Sequence, residues 1–199
     1  MKLFYAATSP YVRKVMACAI ARGIEGRIEL IPTQPQQNPP DLLAANPLAK
    51  VPCLVTDDGV GLFDSPVICE YLDSIGDAME MFPTKPGARW RALRLQALAD
   101  GILDAALIRR GELPKPLDEG RVALVERQRA AMARALDVLE REVPHKTLDI
   151  GSITVACALG YLDFRFAAEP WREGRPNLAA WYAAMLLNPC LANTVPPPA

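Results

Sequence analysis

The sequence predicts two parts of different class: a small α/β domain over residues 1–77, then an all-helical domain over residues 87–199. Three observations predict it. Up to Gly76, short apolar runs of strand length alternate with amphipathic helical stretches. From Gly76 to Gly87 the chain is turn-rich, with Pro83 and Pro86, and carries no periodicity. Beyond Gly87 no strand signal recurs and long helical periods take over.

The elements follow in order. Lys2 to Ala7 reads as a strand. Thr8-Ser9-Pro10 reads as a helix start, with Ser9 as N-cap and proline in the first helical position. Val12, Val15, Met16, Ala19 and Ile20 fall at helical spacing, and Gly23 ends that helix. Arg27 to Ile31 reads as a second strand, Pro32 to Pro40 as a proline-rich loop, and Asp41 to Ala45 as one or two helical turns. Cys53 to Thr56 and Val60 to Phe63 are strand-like around Asp57-Asp58-Gly59, a hairpin turn. Ser65 to Ile75 is a helix with Pro66 near its start. The order is strand, helix, strand, short helix, strand, strand, helix. It implies a mixed four-stranded sheet with helices on both faces, its first two strands joined by a right-handed crossover.

In the second half, Ala88–Arg110 and Asp118–Glu142 are long helical patterns separated by Pro114 and Pro116. Ile153–Leu162 is apolar all round, which predicts a buried central helix. Asp149 and Ser152 suggest a capping box with its two roles exchanged. Asn177–Leu187 is a last helix, and Val195 to Pro198 an extended tail. Trp90, Trp171 and Trp181 read as packing residues.

Composition narrows the function classes. The 199 residues are 51% hydrophobic and carry a formal net charge of −1, with no block of like charge. Nothing there suggests a nucleic-acid or membrane-surface footprint. No apolar run reaches the ~18 residues of a membrane span, and the N-terminus lacks a signal-peptide layout. The five cysteines are scattered, without a Cys-x-x-Cys pair, as expected of small buried hydrophobes in a reducing cytoplasm. With His145 the only histidine, neither a zinc site nor a histidine-based triad is expected.

The segment Asn46-Pro47-Leu48-Ala49-Lys50-Val51-Pro52, followed after a hairpin by Asp64-Ser65, carries the functional signal. It can bring a bare backbone edge, a helix N-terminus and a carboxylate into one volume, where a short charged peptide-like ligand fits.

These motifs give the chain a resemblance to the cytosolic glutathione transferases over nearly its whole length. It rests on Ser9-Pro10-Tyr11-Val12-Arg13-Lys14-Val15, on Asn46 to Pro52, on Asp64-Ser65, and on Ala158-Leu159-Gly160-Tyr161-Leu162-Asp163. The likeness is nearest to bacterial serine-type members. It implies a thioredoxin-like first domain and a helical bundle after it, a homodimer in the cytoplasm, and glutathione as co-substrate without a metal.

The resemblance also implies roles. The Val51–Pro52 bond is expected to be cis, exposing the Val51 amide and carbonyl to the glutathione backbone. Ser65 and Asp64 would take its γ-glutamyl end, although most relatives carry Glu or Gln where Asp64 stands. Lys50 would reach the glycyl carboxylate or the thiol region, or serve only solubility. Gln34 or Gln37 lines the same end. Ser9 is the expected catalytic residue, donating a hydrogen bond to the sulfur and favouring thiolate over thiol. Plain N-capping is its structural alternative, and Thr8 is the alternative hydroxyl. Tyr5 matches the tyrosine of other branches and reads here as a packed strand residue. A serine at position 9 cannot form a mixed disulfide, so reductase chemistry is disfavoured.

Asp100 and Asp104, on the first long helix, face solvent, a partner subunit or the ligand, and the resemblance gives Asp100 the option of reaching the ligand amino group across a dimer; Tyr11, Leu103, Leu107 and Phe164 are possible liners of a second, hydrophobic pocket. The expected activity is thiolate attack on an electrophilic carbon. The alternatives are an inactive binding or regulatory protein of the same fold, or a glutathione-dependent isomerase or dehalogenase.

Overall fold

Strand β1 (Lys2–Tyr5) lies at the centre of a four-stranded sheet of order β2-β1-β3-β4 in a computed structural model describing residues 1–116 and 118–197. Strand β2 (Glu29–Pro32) runs parallel to β1, and β3 (Cys53–Val55) runs antiparallel to it with Phe4 opposite Cys53. Strand β4 (Gly61–Leu62) closes the edge as the hairpin partner of β3. Gly59 takes the positive φ of +86° that the Asp-Asp-Gly turn needs.

Helix α1 (Pro10–Ala21) links β1 to β2, and a six-residue α2 (Pro40–Ala45) precedes β3. Helix α3 (Ser65–Ile75) follows β4 and packs against α1. Side chains alternate across a strand, so Phe4 and Leu3 point to opposite faces. Phe4, Cys53 and Leu42 of α2 form one buried cluster, with Ile31, Ala45, Val51, Val55 and Phe63 around it. Leu3 and Leu54, of the other parity, are fully buried as well. Gly61 is required by close approach: a Cβ there would collide with the Ala45 carbonyl oxygen.

The second half is helical. Helices α4 (Pro86–Glu112), α5 (Glu119–Arg141), α6 (Ile150–Arg165) and α7 (Pro176–Met185) follow in order. Every residue of α6 from Ile150 to Leu162 is buried, the location expected of a helix apolar all round. Its N-terminus carries the reciprocal capping box: Ser152 N–H donates to Asp149 Oδ1 at 2.8 Å, and Asp149 N–H donates to Ser152 Oγ at 2.9 Å. Glu140 of α5 caps α7, accepting from the backbone of Asn177 and Leu178. A final short α8 (Pro189–Ala192) packs on α1.

The chain divides into two units: Met1–Thr84 joined by the segment from Pro189 onward, and Lys85–Asn188. The division in the first half falls inside the turn-rich Gly76–Gly87 stretch. The return of the C-terminal segment to the first unit has no counterpart in the sequence reading, which runs the helical domain to residue 199. Pro198 and Ala199, the end of that domain and of the expected tail, lie outside the described residues, as does Leu117.

Other departures are local. Arg27 sits in a 3-10 turn (Glu25–Arg27), so β2 starts two residues later than expected. Pro35–Gln37 adds another such turn inside the proline-rich loop. Trp90 does not pack within its own chain, where 68% of it is exposed. Trp171 and Trp181 are buried, with their ring N–H groups donating to Asp163 and to the His145 carbonyl. All five cysteines are buried and none is in a disulfide.

Candidate functional site

One end of the sheet gathers the residues singled out above. Strand β1 ends there at Tyr5, β3 begins there beside it, and β4 ends there. Continuing the observed registers by one or two residues sets Pro52 beside Tyr5 and Asp64 beside Pro52. Adjacent strands lie about 4.8 Å apart, so the three chain ends fall within about 10 Å of one another.

Ser9 enters this end through a tight turn in which its N–H donates to the Ala6 carbonyl at 2.9 Å. It is the N-cap of α1, its Oγ accepting from Val12 N–H at 3.4 Å, with Pro10 next in the first turn. A serine hydroxyl has one proton and two acceptor sites. Capping the helix uses an acceptor and leaves the proton for a ligand, so capping and ligand donation are compatible. The positive end of the α1 dipole points the same way. Thr8 is half-buried in the turn, and Tyr5 is half-buried in β1 with its carbonyl accepting from Thr33 N–H.

The edge opposite Ser9 is built by Asn46, which sequence reasoning placed in the motif without a role. Asn46 is 1% exposed. Its Nδ2 donates to the Lys50 carbonyl at 2.9 Å, and its Oδ1 accepts from Leu48 N–H at 3.0 Å. Its own carbonyl accepts from Ala49 N–H at 3.0 Å. These three bonds close the 46–50 loop, in which Ala49 adopts φ +51°. The readable signal was the Asn-Pro pair, a common turn opener.

The loop delivers Lys50, exposed, then Val51, half-buried against the Phe4 cluster, then Pro52, buried. The Val51–Pro52 bond is cis, as the resemblance implied. Phe63–Asp64 is a second cis bond, which the sequence did not signal.

Asp64 is the N-cap of α3 by position, yet its exposed side chain makes no capping hydrogen bond. Ser65 starts the helix at 2% exposure. The carboxylate is thus not engaged in capping, and the α3 N-terminus keeps its anion-binding character. Gln34 and Gln37 are exposed in the loop after β2 and bond each other, Nε2 to Oε1 at 2.7 Å.

Cys53, next to Pro52, is fully buried, and burial pushes its thiol up to about 11 from an ordinary 9.0. It is a neutral core group. Among the described residues no cluster of three or more His, Cys, Asp and Glu side chains is arranged to hold a metal ion. In the helical unit, Asp100 is half-buried and Asp104 exposed on α4. Leu103 is fully buried and offers no surface to a ligand, whereas Tyr11, Leu107 and Phe164 are partly exposed.

Comparison with known proteins fits this geometry. The family description "Glutathione S-transferase, N-terminal domain" matches residues 8–75, and "Glutathione S-transferase, C-terminal domain" matches residues 122–184. The chain is 38% identical to the uncharacterized GST-like protein YibF of Escherichia coli (strain K12), over all of both chains. It is 43% identical to a glutathione transferase family member from Pseudomonas fluorescens Pf-5 solved with bound glutathione. That match covers 98% of each chain at a TM-score of 0.91. A structure from the same organism with bound S-(propanoic acid)-glutathione superposes at 0.87 and 42% identity, over 99% of this chain and all of the other.

Proposed function

Since the chain belongs to the glutathione S-transferase family, we propose that it is a glutathione transferase that binds glutathione at the Ser9–Pro52–Ser65 end of the sheet and directs its thiolate at an electrophilic carbon. The observation that carries this reading is the convergence there of a hydroxyl with a proton to give, a cis-proline edge and a helix N-terminus. The relatives holding glutathione and a glutathione thioether support it.

In this reading the Val51 amide and carbonyl pair with the tripeptide backbone as an added strand. Ser65 and the free N–H groups of α3 hold the γ-glutamyl carboxylate, and Asp64 answers its ammonium. Lys50, exposed on the same loop, answers the glycyl carboxylate. Ser9 donates to the sulfur. A free thiol has a pKa of roughly 8.5, and each unit of depression is worth about 1.4 kcal/mol. A charged hydrogen bond and the α1 dipole together supply one to two units. The thiolate then attacks carbon, a C–S bond forms, and the leaving group or acceptor atom takes the electron pair.

The protein acts as a cytoplasmic homodimer in this reading. The support is α4, where Trp90, Arg94, Ala97, Gly101, Asp104 and Ile108 recur at helical spacing and are all exposed. Antiparallel pairing with a second copy about the midpoint of Ala97 and Gly101 would set Trp90 over Ile108 and Arg94 over Asp104.

The deciding experiment is calorimetric titration with glutathione, followed by ultraviolet thiolate absorbance of the complex against pH. Binding with a depressed thiol pKa is expected. No binding at millimolar glutathione overturns the reading. Binding without the depression leaves a glutathione-binding protein that does not activate the thiol.

A further inference from the structure

We propose that Arg13 is a positioning residue for this site: its buried guanidinium is a fixed positive charge, one helical turn past Ser9, that favours the glutathione thiolate and is held in place by the C-terminal segment. The proposal rests on the reading of Ser9 given above.

Arg13 is 5% exposed. Its Nη2 donates to the Leu191 carbonyl of α8 at 3.2 Å. Its Nε is buried with no hydrogen-bond partner among the described residues. A guanidinium stays charged and offers five donors in a rigid fork. A neutral carbonyl compensates little of the cost of burying that charge, whereas a nearby anion compensates much of it.

The location points to which anion. Arg13 N–H donates to the carbonyl of the N-cap Ser9 at 3.0 Å, which puts Arg13 one helical turn beyond that cap. The two residues are separated by about 6 Å of helix rise. Helical side chains lean toward the N-terminus, which carries the Arg13 side chain back toward the turn that holds Ser9. A thiolate accepting from Ser9 would sit near this charge.

Other charges are differently engaged. Lys14, fully buried, lies about 100° further round the helix with its ammonium 5.8 Å from the centre of the Tyr11 ring. The titratable groups on the elements packed against α1 are Glu25 and Arg27 in the first 3-10 turn; Cys69, Glu70, Tyr71 and Asp73 on α3; and Cys190 on α8. Asp73 answers Arg22 at the far end of α1. Burial pushes the Cys190 thiol up, and the Arg13 charge acts on it in the opposite direction.

The test is thiol titration of the glutathione complex by ultraviolet absorbance, with the pH profile of kcat, for the wild type, Arg13→Gln, Arg13→Lys and Ser9→Ala. Arg13→Gln should raise the pKa of the bound thiol by about one unit. Near neutral pH this lowers kcat about 10-fold, and activity should recover as pH rises. Arg13→Lys, which keeps the charge, should hold most of the depression. An Arg13→Gln complex that titrates like the wild type, while Ser9→Ala loses the depression, overturns this proposal and leaves the Ser9 reading standing. A wild-type complex with an ordinary thiol pKa overturns both. Should Arg13→Gln fail to fold, Arg13→Lys decides: a thiol pKa equal to that of free glutathione overturns the charge argument.

Discussion

Arg22, the C-cap residue of α1, faces Asp73 of α3 across 3.3 Å from Nε to Oδ1, with the two side chains 5% and 10% exposed. The contact is ionic without hydrogen-bond alignment. The rest of each group clamps backbone: Arg22 donates to the carbonyls of Gly76 and Ala78, and Asp73 accepts from Met81 N–H at 2.7 Å and Phe82 N–H at 3.1 Å. Gly76 fits only because it lacks a Cβ, which would lie 2.7 Å from the Arg22 Cβ. Asp73→Ala leaves a buried cation unanswered and frees two N–H groups. It should cost about 3–5 kcal/mol in urea unfolding.

Ser9→Ala keeps the turn and removes the donor. If the hydroxyl serves the sulfur, kcat with a general electrophile near neutral pH should fall about 10-fold, and at most about 100-fold, while glutathione affinity changes little. Loss of the weak 3.4 Å cap should cost about 1 kcal/mol of stability at most. A Thr8→Ala variant that is dead beside an active Ser9→Ala would transfer the role to Thr8.

Asn46→Ala tests the loop and not the chemistry. It removes the Lys50 and Leu48 bonds from a buried position, which should lower stability by about 1–3 kcal/mol. Glutathione affinity should fall about 10-fold with kcat retained at saturation, measured by calorimetry and steady-state kinetics. An unchanged dissociation constant would show that Val51 is positioned without Asn46.

Cys53 sets an alkaline limit. Its folded pKa of about 11 lies above the ordinary 9.0, because burial disfavours the thiolate. Between those values the unfolded chain has released the proton and the folded chain has kept it. Stability is therefore full below about pH 9 and falls as pH rises toward 11. Urea unfolding from pH 8 to 10.5 (roughly the range the thiol spans) should show that decline, shallower in Cys53→Ala.

The α4 face gives a test of assembly. Gly101→Arg places a bulky charge where a Cβ has open space within the chain, so the fold should be unaffected. Light scattering should report a dimer for the wild type and a monomer for Gly101→Arg. A variant that remains dimeric would move the interface off this face.

Much of the fold could be read from residues whose signals are local. Ser9-Pro10 starts a helix, Asp57-Asp58-Gly59 turns a hairpin, and Asp149 with Ser152 caps a helix, because each acts on its own backbone within four residues. Arg27 was misread because β-propensity at the start of β2 competed with a 3-10 turn that the neighbouring Gly26 allows. Trp90 was misread because periodicity shows which residues share a face and not whether that face is covered. The candidate site was legible where proline and a helix start mark it. Asn46 as loop organiser, the cis bond before Asp64 and the Arg13–Leu191 contact depend on tertiary approach, which no short window contains.

That last contact spans 178 positions of chain. A ribosome adds about 5–20 residues each second, so Arg13 emerges roughly 10–35 seconds before the carbonyl that receives it. Through that interval α1 carries a bared cation beside its first turn. The nascent sheet can form early, but the carbonyl that fixes Arg13 arrives only with the last helix, and any product that ends before Pro189 would keep the charge and lose the contact that holds it.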